Sequence, residues 1–284
     1  MDTAAPLAID VRGLRKRYGD HQAVDGVDLQ VHQGEIFSLL GPNGAGKTTT
    51  VEILEGYRRR DDGDVTVLGV DPAKAGARWR ATLGIVLQSA TASSELTVAE
   101  TVAVQGSYFA DPRPTGEVLE LVGLGDKTKI KASALSGGQQ RRLDVALGIV
   151  GRPRLLFLDE PTTGFDPEAR RAFWGLVRSL RELGTTIMLT THYLEEAEQL
   201  ADRVGVIAGG RVVEIATPKT LGGRDTAPAT VRWRQNGEWR SESTSTPTDT
   251  VCRLAAELGT EVPDLTVERP SLEDVYLQLI GQPR

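Results

Sequence analysis

The chain has 284 residues, 39% hydrophobic and 25% charged, which is ordinary globular composition for one large domain, or for one domain with a small appendage. Acidic side chains outnumber basic ones, 39 to 33, and the net charge of −6 argues against a nucleic-acid binder with a basic face. No apolar run approaches the roughly 18–20 residues of a membrane-spanning helix, no basic-then-apolar leader opens the chain, and a lone cysteine excludes an intrachain disulfide.

Residues 7–19, LAIDVRGLRKRYG, alternate in part and predict a strand ending in a turn, with a second strand at 27–31. EIFSLL at 35–40 predicts a buried strand running into glycine. The next stretch, GPNGAGKT, fits G-x-x-x-x-G-K-[ST] with Gly41, Gly46, Lys47 and Thr48. The chemistry explains the residue types. Glycines let the backbone curl so that N–H groups point at phosphate oxygens. A helix predicted over 47–56 aims the positive end of its dipole at the same place. Lys47 adds a full charge at the β- and γ-phosphates, and the Thr48 hydroxyl is a ligand for Mg²⁺. A nucleoside triphosphate site is expected here.

Arg58, Arg59 and Arg60, followed at once by DDGD, and the alternating Lys127, Lys129 and Lys131 read as solvated loops. Short apolar runs recur at 65–68, 84–87, 155–158, 186–190 and 204–208, with helical patterns between many of them. That alternation predicts an α/β sheet with parallel strands. Residues 96–122 hold two helical segments around the break DPRPTG and read as a helical subdomain without a long heptad array.

Ser136, Gly137, Gly138 and Gln139 open a further helical run with Leu143, Ala146, Leu147 and Val150 on one face. The hydroxyl and N–H groups at such a helix N-terminus make an anion site. LLFLDE at 155–160 predicts a buried strand with Asp159 and Glu160 at its end. Successive strand residues face opposite ways, so the two carboxylates are expected to do different jobs. One can bind Mg²⁺ through water while the other faces an attacking water as base. Beyond them, Asp166 as N-cap, Pro167 as first residue and Gly184 past the end bound a helix. Its Phe173, Leu176, Val177, Leu180 and Leu183 fall on one face.

Near Leu221 the texture changes. Residues 222–230 are linker-like, Asn236–Gly237 marks a hairpin, and helices are predicted at 251–258 and 271–280. Trp233 and Trp239 are expected as packing residues, and Cys252 as a small, half-buried apolar side chain. The expected organisation is a main domain over residues 1–222, with a helical subdomain at about 89–140, and a small α+β accessory domain over 223–284.

Taken in order, GPNGAGKTT, GIVLQ at 84–88, LSGGQ at 135–139, LLFLDE, GFDP at 164–167 and TTHYLEEAE resemble the ATP-binding subunits of ABC transporters, over about residues 7–220. The resemblance implies an α/β P-loop NTPase fold, a mixed sheet core plus helical subdomain, using ATP and Mg²⁺. It implies two subunits packed head to tail. The Walker A residues Gly41, Pro42, Asn43, Gly44, Ala45, Gly46, Lys47, Thr48 and Thr49 of one hold an ATP. The signature residues Ser136, Gly137, Gly138 and Gln139 of the other cap its γ-phosphate.

The family's roles then fall on single residues. Tyr18 matches the aromatic that stacks on adenine, and Gln88 the residue that reaches Mg²⁺ and the water. Asp159 matches the Mg²⁺-associated carboxylate, Glu160 the general base and His192 the switch that contacts the γ-phosphate. Asp166 matches the residue that communicates across the dimer. ATLGIVLQS, SGGQQRRLDVALGIVGRP, THYLEEAEQLADRVGVIAGGRVV and the tail PSLEDVYLQLIG are similar to bacterial drug- and antibiotic-exporter ATPases of the daunorubicin-resistance kind. That implies a chain at the cytoplasmic face of a membrane, driving a separate permease. Two features depart from the pattern: Phe165 stands where the family usually has Leu, and the helical subdomain is shorter than usual.

The rival class is a soluble ABC ATPase acting on nucleic acid or ribosomes. Its genome-maintenance members separate Walker A from the signature by long coiled coil, and its translation members usually carry two ATPase modules. This chain carries each motif once and is acidic. A third class binds ATP without turning it over, and the presence of Glu160 and His192 argues against it.

Overall fold

In a computed structural model of the chain, residues 6–87, 95–259 and 261–281 are described. The chain divides into two compact units, Met1–Ile215 and Ala216–Arg284.

The first unit holds two sheets. Strands β1 (Leu7–Tyr18) and β2 (His21–His32) form an antiparallel pair. β3 (Ile36–Leu40) leads through a glycine-rich loop to helix α1 (Lys47–Leu54), and β4 (Asp62–Val67) returns to pair antiparallel with β1. A short helix α2 (Ala77–Arg80) precedes β5 (Leu83–Val86). Helices α3 (Val98–Gly106), α4 (Thr115–Leu121) and α5 (Gly137–Ile149) come next, then β6 (Leu155–Asp159) and α6 (Pro167–Glu182). β7 (Thr186–Thr191), α7 (Leu194–Leu200), β8 (Arg203–Ala208) and β9 (Arg211–Ala216) complete the unit.

The larger sheet runs β5-β6-β7-β3-β8-β9, and its pairs from β5 to β8 are parallel. Both of its faces are covered, which is why its strands read as unbroken apolar runs. The period of two divides those runs between two cores. Ile36, Leu156, Leu158, Ile187 and Leu189 face the core built by α3, α4, α5 and α6. Phe37, Leu39, Leu155, Phe157 and Met188 face α1 and the antiparallel sheet.

The run at 65–68 does not join the parallel sheet. As β4 it lies in a separate three-stranded sheet of order β2-β1-β4. Val65 and Val67 are buried while Asp64 and Thr66 are exposed, the one-faced alternation of an antiparallel sheet. Leu183 also departs from expectation. It follows the last residue of α6 and is 53% exposed, while Trp174 completes the buried face with Phe173, Leu176, Val177 and Leu180. Lys129 and Lys131 are exposed as expected, but the arginine run is less solvated than its composition suggests. Arg60 makes a forked pair with Asp71 at 2.8 and 3.0 Å, and Arg58 is held by Glu52 at 2.5 Å.

In the second unit, β10 (Ala229–Gln235) and β11 (Glu238–Thr244) form the expected hairpin, with α8 (Pro247–Leu258), β12 (Thr266–Glu268) and α9 (Leu272–Gly281) following. Asn236 and Gly237 both have positive φ, 54° and 84°, as a two-residue turn of mirror-image type requires. Trp233 is buried with Val231, Leu254 and Val262. Trp239 is 62% exposed, because it pairs with Arg234 on the outer side of β10. Cys252 is likewise exposed on α8, whose buried positions are Thr250 and Leu254.

Candidate nucleotide and catalytic site

The loop between β3 and α1 is shaped by what a side chain would strike. Gly46, the N-cap of α1, has φ 101°, and a Cβ there would lie 2.4 Å from the carbonyl oxygen of Ala23 on β2. A Cβ at Gly41 would lie 2.4 Å from the carbonyl oxygen of Ile207 on β8. The backbone therefore passes close to both sheets, and the first N–H groups of α1, which have no partner within the helix, open at its end. Lys47 folds back over the loop and is 6% exposed. Its Nζ donates to the carbonyls of Gly41 at 2.7 Å and Pro42 at 3.2 Å and stands 3.9 Å from Glu160 Oε1. Burial pulls the Lys47 pKa down, and the carboxylates of Glu160 and Asp159 oppose that shift.

A cavity of about 420 Å³ lies over this loop, lined by Tyr18, His21, Ala23, Asn43, Gly44, Gly46, Lys47, Thr48, Thr49 and Glu160. Of the expected phosphate-loop residues, Gly41, Pro42 and Ala45 shape the turn without lining the cavity. Tyr18 is at its edge, half-exposed, with Arg58 at 5.2 Å and Lys16 at 5.5 Å from the ring centre. His21 and Ala23 were not anticipated. They arrive because β2 begins six residues before the apolar run that marks it in the sequence.

The two acidic residues separate as their alternation predicts, helped by an unusual backbone. Asp159 ends β6 in register with Thr190 on β7, and the Thr190 hydroxyl donates to its Oδ1. Glu160 has φ 43°, a left-handed conformation uncommon outside glycine, asparagine and aspartate. Its N–H donates to the Thr190 carbonyl at 3.1 Å and lies 3.2 Å from the Thr190 hydroxyl. The turn sends the Glu160 side chain to the cavity, where Oε1 is 3.3 Å from His192 Nδ1. Lys47, Glu160 and His192 thus converge, although they lie far apart in the chain.

Other residues of the site carry no signal in the sequence. Arg141 on α5 is buried, and its guanidinium donates to the carbonyls of Asp159 at 2.8 Å, Pro161 at 3.1 Å and Leu87. Burial lowers its pKa, and its neighbour Asp144 is raised to about 6 by the same desolvation, against the pull of Arg141. Glu55, at the end of α1, is buried and raised to about 8, by desolvation first and then by the Asp159 and Glu52 charges. Gln88 lies outside the described residues.

The signature residues stand apart from the cavity. Ser136 and Gln139 form a reciprocal cap on α5, with Gln139 Oε1 accepting from Ser136 N at 3.1 Å and Ser136 Oγ accepting from Gln139 N at 3.4 Å. Gly137 and Gly138 open the helix there. Asp166 caps α6, accepting from Ala169 N at 2.8 Å, and is exposed.

Residues 24–163 match the family model described as ABC transporter. The chain is 39% identical to a daunorubicin resistance ATP-binding protein, DrrA2, of Streptomyces coeruleorubidus, over 96% of this chain and 95% of that protein. It is 38% identical to the Nod factor export ATP-binding protein I of Sinorhizobium fredii, over 97% and 87% of the two chains. Among solved structures, cbiO1 from Clostridium perfringens, part of the ABC transporter complex cbiONQ, aligns with a TM-score of 0.69 at 28% identity, over 76% and 90% of the two chains.

Proposed function

Because this chain belongs to the ABC transporter family, as one of its ATP-binding, ATP-hydrolysing subunits, we propose that it powers export of a drug-like or other small amphipathic molecule. The export would run through a separate integral membrane permease. Among the described residues no helix is long and apolar enough to cross a membrane, so the passage for substrate belongs to that partner. The chain would sit on the permease at the cytoplasmic face. The named relatives, with their resistance and export activities, support the direction of transport. Residues 1–222 are assigned to ATP chemistry, with the helical subdomain at about 89–140, and residues 223–284 to an accessory role.

One observation carries the catalytic reading: Lys47 and Glu160 meet at the cavity over the phosphate loop, with His192 Nδ1 3.3 Å from the Glu160 carboxylate. In that reading Tyr18 stacks on adenine and residues Gly41 to Thr49 cradle the phosphates. Glu160 takes a proton from a water, and the water oxygen attacks the γ-phosphorus. The bond from that phosphorus to the β–γ bridging oxygen breaks, and ADP and phosphate leave, the phosphate accepting the proton that Glu160 held. His192 positions the γ-phosphate and the water. Lys47 faces the charge that develops on the phosphoryl oxygens.

Ser136, Gly137, Gly138 and Gln139 lie away from the cavity of their own chain, which supports their use on the ATP of a second copy packed head to tail. Asp166 would signal between the two copies. The Thr48 hydroxyl and the Asp159 carboxylate, with Gln88 as expected third, are hard oxygen ligands that fit Mg²⁺. Among the described residues no group of three or more His, Cys, Asp or Glu forms a cage, which fits an ion that takes much of its shell from phosphates and water. When bound, Mg²⁺ would neutralise phosphate charge.

A mild-detergent pull-down from native membranes tests the reading. A multispanning protein recovered in stoichiometric amount supports it. Recovery only in the soluble fraction, with ribosomes or nucleic acid, leaves the ATPase chemistry and overturns the transport role.

A further inference from the structure

His192 rests on a stack that begins on another helix. Its imidazole and the Tyr193 ring have centroids 4.1 Å apart, tilted by 39°. The Arg170 guanidinium carbon lies 5.0 Å from the Tyr193 ring centre. Arg170 stands in the first turn of α6, where its N–H donates to the Asp166 carbonyl at 3.0 Å, and its Nη1 is 3.5 Å from Glu195 Oε2. The row therefore runs from Asp166 through Arg170 and Tyr193 to His192, and across 3.3 Å to Glu160.

The His192 side chain is 37% exposed, and among the described residues its close partners are Glu160 and the Tyr193 ring. Rotation of the imidazole is limited on one side by a carboxylate and on the other by Tyr193. Tyr193 is itself fixed. Its N–H donates to the Thr191 hydroxyl at 2.9 Å, at the end of β7, and a cation lies over its ring. A cation over an aromatic face is attracted by the ring quadrupole, and offset aromatic rings hold a preferred mutual geometry.

We propose that Arg170 and Tyr193 are positioning residues for ATP hydrolysis: they hold the His192 imidazole against Glu160 and tie its placement to the first turn of α6. The proposal rests on the reading of Glu160 and His192 given above. Its consequence is local and mechanical. A displacement of the Asp166 turn, the segment assigned to contact with a second copy, moves Arg170 and with it the Tyr193 ring, so that His192 is seated only when that turn is seated. A shift of about 1 Å in a reacting geometry is enough to cost on the order of a hundredfold in rate.

The test uses the full chain, with hydrolysis of saturating Mg-ATP measured for single variants and again in a His192→Ala background. Tyr193→Ala is expected to lower kcat by roughly ten- to a hundredfold while KM for ATP stays within about twofold, the pattern of lost transition-state placement. Tyr193→Phe keeps the ring and the parental rate. Arg170→Gln gives a smaller fall in the same direction, with Arg170→Lys restoring part of it. In the His192→Ala background neither change lowers the residual rate further, because both act through His192. Arg170 is half-buried, with 21% of its side chain exposed, and Arg170→Lys keeps its charge, so its variants decide the matter if Tyr193→Ala fails to fold.

Parental kcat in both Tyr193→Ala and Arg170→Gln, with His192→Ala impaired, overturns the proposal and leaves the reading of His192 standing. Undiminished effects in the His192→Ala background also overturn it, by placing the action elsewhere. Parental turnover in His192→Ala removes the reading beneath the proposal, and the proposal with it.

Discussion

Thr190 and Asp159 stand opposite each other on the parallel neighbours β7 and β6, and one threonine hydroxyl serves both acidic residues, donating to the Asp159 carboxylate and lying 3.2 Å from the Glu160 N–H. Thr190 is 1% exposed, so water cannot replace it. Thr190→Val keeps the shape and leaves the half-buried Asp159 carboxylate short of a donor, at a cost of about 1 kcal/mol. A lower urea midpoint together with slower ATP turnover is expected, with Thr190→Ser restoring both. An unchanged turnover in Thr190→Val would detach this hydroxyl from the chemistry.

Lys47→Ala removes the ammonium that the Gly41 and Pro42 carbonyls hold over the loop. Binding of Mg-ATP, measured by calorimetry, is expected to disappear at concentrations that saturate the parent. Ordinary affinity in this variant would dissolve the phosphate-site assignment.

Glu160→Gln keeps the size and the hydrogen-bonding edge of the side chain and cannot accept a proton. Turnover is expected to fall by at least about a hundredfold, the usual contribution of a general base, with ATP affinity kept and an ATP-bound dimer accumulating. Size-exclusion chromatography with light scattering reads the dimer. Turnover at the parental rate would falsify the role of base.

Asp166 carries two duties that substitution can separate. Asp166→Asn retains the N-cap and is expected to melt like the parent, whereas Asp166→Ala loses about 1 kcal/mol of stability. If the side chain also signals between copies, the Asn variant will hydrolyse ATP less cooperatively in spite of its intact cap. Parental cooperativity in Asp166→Asn leaves capping as its whole role.

Glu55 makes the stability of the nucleotide-free protein depend on pH in a stated direction. Its folded pKa of about 8 lies above the ordinary 4.5, so the folded state favours the protonated form. The associated stability is complete below about pH 4.5 and is lost as pH rises through about 8. At roughly 1.4 kcal/mol per unit of pKa difference, full ionisation costs on the order of 5 kcal/mol. Glu55→Gln has nothing to ionise. Its melting temperature is expected to exceed the parent's at pH 9 and to match it at pH 4; equal melting temperatures at both would show that the carboxyl is not desolvated.

The phosphate loop was legible because its chemistry is contiguous: residues 41 to 49 carry the glycines, the cation and the hydroxyl in one run. Asp159 and Glu160 were legible for the same reason, at the end of an apolar strand. The partners that orient them were not. Thr190 reaches Asp159 only through the register of β6 and β7, and Arg141 reaches three carbonyls only because α5 packs against β5. The start of β2 was hidden by Gln22, Asp25 and Gly26, which break the apolar pattern while pairing with β1 holds the strand. The two tryptophans of the hairpin could have been told apart. A two-residue turn at Asn236–Gly237 pairs Gln235 with Glu238, which sets Trp239 across from Arg234 and one position out of phase with Trp233.

Gly41 and Gly46 have a further consequence, for redesign. Each has a backbone carbonyl 2.4 Å from where any side chain would start, on β8 and β2 respectively, so neither position admits a side chain that leaves the sheets where they are. The opposite end is permissive, since Tyr18 and His21 line it from exposed positions on the antiparallel sheet. A version of this ATPase rebuilt to accept a base-modified nucleotide, for tracking one transporter among many, would be sought at Tyr18 and His21 with residues 41 to 49 left untouched.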